Sequence, residues 1–497
     1  MKVQEYAAMD AVALSAGIRT GELDPVEVTD AAIAAIEALD PRLNALVVRD
    51  FERARVHARA VRRDLPLAGV PFLIKDVNVH CEEWSTTYSS RFFADAKPRP
   101  DSEIVRRWRG AGVVLLGKTN TPEFADDFVT EPVFRGATLN PWNAALTVGG
   151  SSGGAAAAVA SGMVPVAHGS DVGGSIRVPA ACCGLFGLKP SRGLNPAGPY
   201  AAEAGGNLNC EHVLSRTVRD SAAFLDASAG PEIGAPYRVL PAVASYLAAL
   251  AQPIGRLRIV SIGRRIDGTA IAPEIESRLA DAAKLLESLG HEVVSGRIPA
   301  AVEQAMAGDG WLPLWFMDIA VAIADRAAEL GRPPRPDEIE QLPRHILESI
   351  GAMSAVDYFS ARRAAHRAAL AMAREFSGFD LILTPSTATL PPPLGSIDSH
   401  SSAFDYQRWA SAAYGFAPFS EIFNVTGQPA ASLPLFESTS GMPIGMQLVG
   451  RQDQDHVLLR LAADLESFSP WLRHPPLWAG ELASDQPARN ARPMILS

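Results

Sequence analysis

Three segments of this chain bring together residue types that nucleophilic chemistry needs. The first, TVGGSSGGAAAA (147–158), sets Ser151 and Ser152 between glycine pairs. Gly149-x-Ser151-x-Gly153 and Gly150-x-Ser152-x-Gly154 both fit G-x-S-x-G, where a serine on a tight strand-to-helix turn attacks an acyl carbon. That pattern needs a later carboxylate and histidine. His400, His456 and His474 are available, but none sits in a signature that singles it out. The segment lacks the Lys-Ser or Lys-Thr of a phosphate loop and the spacing of a dinucleotide loop. The second segment, GSDVGGSIR (169–177), strings together the backbone amides of Val172, Gly173, Gly174 and Ser175. Glycine lets such a backbone curl until its N–H groups converge. Converging amides beside a hydroxyl make an oxyanion hole next to its own nucleophile, and one such donor contributes about 2.7–4 kcal/mol. Ser175 is therefore the better placed nucleophile; a tight turn with a capping serine is the other reading. The third segment, FLIKD (72–76), ends an apolar run on Lys75. A free lysine titrates near ~10.4 and is no base at neutral pH. Burial lowers that value by several units and turns the neutral amine into a general base. Alternatively, Lys75 pairs with Asp76 or another carboxylate and only holds structure.

These groups need a framework. GVPFLIK (69–75) and VVLLGKTN (113–120) read as buried strands, with a capped helix between them over 101–112. A buried helix follows the first serines at 153–162, and another helix spans 215–230. LRIVSIG (257–263), the helix 272–290 and HEVVSGRIP (291–299) form a β-α-β unit. Further strands are expected at 379–386, ASLPLF and GMQLVG, and a last helix over 453–467. The N-terminal part reads as helical. Asp24 caps a helix with Pro25 at its first position, Pro41 ends it, and a second helix covers 51–63. Residues 300–376 read as wholly helical, broken by the prolines of 332–336, and the tail after about 480 as polar and loose. The expected fold is α/β: a single large mixed, mostly parallel β-sheet covered by helices on both faces, with a helical insertion. The expected divisions are 1–64 (N-terminal helices), 65–230 (core), 231–376 (variable segment with a helical cap) and 377–497 (the rest of the same core and the tail).

Composition narrows the function. With 497 residues, 47% hydrophobic and 20% charged, the chain reads as a globular enzyme. A net charge of −10 argues against a nucleic-acid groove or an anionic-membrane surface. The basic run RARVHARAVRR (53–63) has the spacing of a solvated helix face. Four cysteines (Cys81, Cys182, Cys183, Cys210) without a C-x-x-C pair give neither a disulfide framework nor a zinc signature, and read as reduced core thiols. The first residues lack the pattern of a secretory signal, and the longest apolar tract (155–167) is shorter than the ~20 residues of a spanning helix. A cytoplasmic protein is expected, without membrane or nucleic-acid partners.

Taken together and in this order, the three segments resemble the amidase signature family. The carrying residues are GVPFLIKD with Lys75, TVGGSSGGAAAAVASG with Ser151, and GSDVGGSIRVPAACCGLFGLKPSRG with Ser175. LLGKTNTPEF, SRTVRD, DLILTPS and FNVTGQPAASLPLF…GMPIGMQLVGR fit as well, so the resemblance covers roughly 25–230 and 377–475. It implies a Ser–cis-Ser–Lys triad: Ser175 as nucleophile, Ser151 as relay on a cis peptide bond after Gly150, and Lys75 as base. It also implies an oxyanion hole at Val172, Gly173 and Gly174, support from Ser152, Asp171 and Arg177, and no metal or cofactor. TNTPEFADDFVTEPVFRGATLNPWN and PVAHGSDVGGS are similar to the hydrolases of cyclic aminohexanoate dimers, as is the LGRP turn at 330–333. The implied substrate is a small-molecule amide, bulky or apolar and including synthetic oligomers, with a carbamate or ester as alternative. A glutamine-dependent tRNA amidotransferase A-type subunit shares the motifs and is the other alternative. Pocket candidates are Phe124, Asp126 and Phe128, with Trp315 and Phe316 from the aromatic run WLPLWFM (311–317). The chain is expected to act as a monomer or homodimer.

Overall fold

The computed structural model describes residues 1–265, 270–306, 311–471 and 473–482. Among these, eleven strands form one sheet: β1 (Leu46–Arg49), β2 (Pro71–Lys75), β3 (Val114–Thr119), β4 (Val166–Asp171), β5 (Phe186–Lys189), β6 (Cys210–Ser215), β7 (Arg258–Ser261), β8 (Glu292–Ser295), β9 (Leu381–Pro385), β10 (Ala430–Glu437) and β11 (Pro443–Gly450). Their order is β1-β3-β2-β4-β6-β5-β10-β11-β9-β7-β8. The sheet is mixed, as expected, but not mostly parallel. Four pairings are parallel: β2 with β3 and β4 in one wing, β7 with β8 and β9 in the other. The other six are antiparallel. A parallel pair needs a long crossover, here the helices Glu103–Ala111 and Pro273–Ser288. In the middle the chain doubles back instead. Between β10 and β11 it does so over residues 438–442, with Gly441 at φ 80.

Strand alternation separates the two faces around β2. Phe72 and Ile74 join one buried apolar cluster and Leu73 another. Trp108 of Glu103–Ala111 and Phe224 of Val218–Ser228 pack on Phe72, with ring centroids 5.2 and 5.0 Å away. On the other face lies the helix Gly153–Ala160, buried on every side. It lies so close that a Cβ on Gly154 would come within 2.5 Å of the Ala45 oxygen.

The helix after Asp24, preceded by Val3–Ala8 and Ala11–Thr20, starts as expected: Asp24 accepts the Val26 N–H at 2.9 Å, and Pro25 opens Pro25–Leu43. Pro41 does not end it. In the last turn a missing N–H removes one bond only, and the helix stops at Asn44, in a left-handed conformation at φ 52. The next residues form β1, a strand inside the segment read as helical; at four residues it is too short to show alternation. Residues 300–376 hold Ala300–Met306, Leu312–Leu330, Gln341–Gly351 and Ala355–Glu375. The second of these ends at Gly331 (φ 67), ahead of the proline-rich break. All four cysteines are buried and free. Among the described residues no helix is long and apolar enough to cross a membrane. The reading of the tail falls outside the described residues from 483 on.

Candidate active site

Lys75 closes β2 and follows Leu73 toward the face that holds Gly153–Ala160, with Ser151 just ahead of that helix. Its Nζ lies 2.7 Å from Ser151 Oγ and 2.9 Å from Ser170 Oγ. Asp76 is not its partner. That carboxylate pairs with Lys118 of β3 at 2.8 Å, both groups fully buried. Two lysines on neighbouring strands thus meet two fates: one is neutralised by a carboxylate, the other faces hydroxyls. Burial lowers the pKa of Lys75 to about 7, against the opposing pull of Glu211 and Asp171.

The Gly150–Ser151 peptide bond is cis, as the resemblance implies. A Cβ on Gly150 would lie 2.6 Å from the backbone N and O of Val129, so only glycine fits there. Ser152 stitches the two serine segments together. Its N–H donates to the Ser175 carbonyl at 3.1 Å, and its hydroxyl to the Ser170 carbonyl at 3.3 Å.

Asp171 organises the glycine nest. It accepts the N–H of Gly174 (2.8 Å) and of Ile176 (3.1 Å), and both Nε and Nη2 of Arg177 (3.0 and 2.8 Å). Burial pushes its carboxyl up, but the Arg177 guanidinium outweighs that and holds it at about 2. Arg177 in turn donates to the Ser420 carbonyl (2.9 Å), Gln447 Oε1 (2.7 Å) and Asn424 Oδ1 (2.6 Å). One expected oxyanion donor, the Gly174 N–H, has an acceptor within the protein. The Ser420 hydroxyl donates to the Gly173 carbonyl at 2.7 Å, and the Gly174 N–H donates to Asp171. Gly174 sits at φ 133, where a Cβ would meet Ser420 Oγ at 2.2 Å. The amides of Val172, Gly173 and Ser175 donate to no protein acceptor among the described residues.

Ser151, Ser170, Val172 and Ser175 line one cavity of about 630 Å³. One wall is aromatic: Tyr88, Phe93 and Phe124 lie 4.9 to 5.7 Å apart by ring centroids. It stands on unusual backbone. Tyr88, Ser89, Phe124 and Ala125 all have φ between 47 and 59, and the Phe124 N–H donates to the Tyr88 carbonyl at 2.9 Å. Non-glycine residues in this region cost of order 1–3 kcal/mol each, and the surroundings must hold them there. Helix Leu312–Leu330 presents Trp315, Ile319 and Ala322 to the cavity at helical spacing.

Of the pocket candidates, Phe124 and Trp315 are on the wall; Asp126, Phe128 and Phe316 are not. The left-handed pair Phe124–Ala125 turns the chain inward, so Asp126 is 1% exposed with neither carboxylate oxygen bonded. Burial and the neighbouring Asp127 push its pKa well above the ordinary carboxylate range. Phe128 packs on Tyr414 at 5.8 Å, and Phe316, about 100° further round the helix than Trp315, enters the core. Sequence reasoning missed Ser170, His168, Glu211, Tyr88 and Phe93. The spacing of His168 and Ser170 two apart in AHGSD was a usable signal; the others carried none. Among the described residues no group of three or more His, Cys, Asp or Glu side chains could hold a metal ion.

Two serines and an amide nest on one cavity, with a buried lysine behind them, are the equipment of acyl transfer, and comparison with known proteins agrees. The Amidase family model matches residues 27–459, and the chain belongs to that family: it is a hydrolase of amide bonds. It is similar to the 6-aminohexanoate-cyclic-dimer hydrolase of Paenarthrobacter ureafaciens, 35% identical over 485 residues, covering 94% of this chain and 96% of that one. A solved 6-aminohexanoate cyclic dimer hydrolase, complexed with substrate, matches with a TM-score of 0.89 at 33% identity, covering 94% of this chain and 99% of the other. A bacterial aryl acylamidase of the amidase signature family matches with a TM-score of 0.85 at 28% identity, covering 95% and 98%.

Proposed function

We propose that the chain cleaves its amide through a Ser175 acyl-enzyme, with Ser151 as relay and Lys75 as base. Neutral Lys75 takes the Ser151 hydroxyl proton while Ser151 takes that of Ser175. The Ser175 oxygen bonds to the carbonyl carbon, and the amides of Val172, Gly173 and Ser175 stabilise the oxyanion. The C–N bond breaks as the proton returns through Ser151 to the leaving nitrogen. Water then attacks the ester by the reverse route, releasing the acid and Ser175. The observation that carries this reading is Lys75 Nζ, buried and 2.7 Å from Ser151 Oγ, with Ser151 and Ser175 on the same cavity wall. The aromatic wall supports a bulky or apolar amide, and the similarity to cyclic-dimer hydrolases supports a synthetic oligomer amide among the substrates.

The test is a panel of aryl amides, the cyclic 6-aminohexanoate dimer, glutamine, esters and carbamates on the purified chain, with mass spectrometry of the quenched enzyme. Bulky amides should turn over, and the acyl mass should sit on the Ser175 peptide and vanish in Ser175→Ala along with turnover. Activity retained in Ser175→Ala, or an adduct on Ser151, overturns the assignment. Preference for carbamates, or for glutamine alone, moves the function to those alternatives.

A further inference from the structure

We propose that Glu211 and His168 are positioning residues for Lys75: the imidazole fixes the end of β2, and the carboxylate sets the pH at which the amine becomes a base. This rests on the reading of Lys75 as base. The ladder between β2 and β4 stops at Leu73–Ala167. Two residues on, the Lys75 N–H has no strand partner there and donates to His168 Nδ1 at 3.2 Å. The ring of His168 does the work of a missing carbonyl. An Nδ1 that accepts leaves the proton on Nε2, which donates to Glu211 Oε2 at 2.7 Å. Glu211 stands opposite Ser170 in the β4–β6 pairing, and Ser170 Oγ is the second oxygen at the amine. Its other oxygen accepts Asn209 Nδ2 at 2.6 Å and Asn78 Nδ2 at 3.5 Å. The carboxylate is 4% exposed on the cavity wall, where little water screens its charge.

The groups facing Lys75 are few. β6 supplies Glu211, and β4 supplies Asp171 and His168. The serine segment and β4 add only the hydroxyls of Ser151 and Ser170, and the Lys118 charge of β3 is matched by Asp76. Asp171 is spent on Arg177. Burial pushes the His168 ring below its ordinary value, so it stays neutral beside the amine. Glu211 is thus the one anion facing Lys75 without a cation of its own among these groups, and it opposes the effect of burial on the amine.

The experiment measures kcat/KM against pH on one amide for the wild type, Glu211→Gln, Glu211→Asp, His168→Gln and Lys75→Ala. Glu211→Gln keeps an acceptor for His168 Nε2 but drops the charge. Its acid limb should move down by about one pH unit, the order expected for losing a nearby opposite charge. Glu211→Asp keeps the charge and should restore the wild-type limb. His168→Gln should lower the plateau about tenfold without moving the limb. A Glu211→Gln limb at the wild-type pH, or equal shifts in Gln and Asp, overturns the charge role. A wild-type plateau in His168→Gln overturns the positioning role, and this arm decides should Glu211→Gln fail to fold. Full activity in Lys75→Ala sinks the underlying reading; loss there with an unmoved Glu211→Gln limb sinks this proposal alone.

Discussion

At the scale of single residues, the site turns on how two buried lysines are treated. Lys118 has a carboxylate at 2.8 Å; Lys75 has two hydroxyls. A base must be neutral to work, so on the proposed mechanism the burial that lowers Lys75 to about 7 also sets when the enzyme runs. We expect kcat/KM to rise with pH through about 7 and level off above it, because the protonated amine below that value cannot accept the Ser151 proton. Lys75→Ala should lower kcat by roughly 10²–10⁴-fold, the usual worth of a general base, and abolish that limb. Stopped assays over the pH range check both. The three motif residues stood out in the sequence because their segments occur together and in this order, since each alone has an ordinary structural reading. Glu211 did not, since it looks like an ordinary polar residue until strand pairing brings it opposite Ser170; His168 and Ser170 offered only their two-residue spacing.

At the scale of elements, the cavity is bounded by a strained aromatic wall on one side and a helix on the other. Helix Leu312–Leu330 was legible from composition, but which of its aromatic residues face the cavity depends on its rotation. The helix turns Trp315 to the cavity and Phe316 to the core. We expect Trp315→Ala to raise KM about tenfold for a bulky aryl amide while leaving kcat/KM for a small aliphatic amide within a few-fold. Equal losses on both substrates would place Trp315 in the framework instead. The sheet shows the same limit. Helix–strand alternation marked β2, β3, β7, β8 and β9, but not β4, β5 and β6, which lie beside the glycine-rich motifs, where no run of alternating residues announces a strand.

At the scale of the molecule, Asp171 and Arg177 form a fully buried pair held by Asn424, Ser420 and Gln447. Losing one partner of such a pair leaves a buried charge and costs about 3–5 kcal/mol. We expect Arg177→Ala to lose about that much stability in urea unfolding at pH 7. The carboxyl of Asp171 is held at about 2 in the native protein, below its ordinary 3.8. Its contribution is therefore present above the ordinary value and is lost as pH falls toward about 2. The deficit of Arg177→Ala should shrink as pH falls from 7 toward about 2, because burial without the guanidinium raises the orphaned carboxyl and it takes up a proton first. A deficit that is the same at pH 7 and pH 3 would refute the electrostatic account.

That pair also sets a clock on the making of the enzyme. Lys75, Ser151 and Ser175 leave the ribosome early, but the side chains that fix the nest come from 420, 424 and 447. A growing chain that has passed residue 175 holds the three proposed reacting residues but lacks the Arg177 partners at Ser420, Asn424 and Gln447. On the proposed mechanism, chains cut ahead of β11 should therefore hydrolyse no amide, which assays of such truncated chains check.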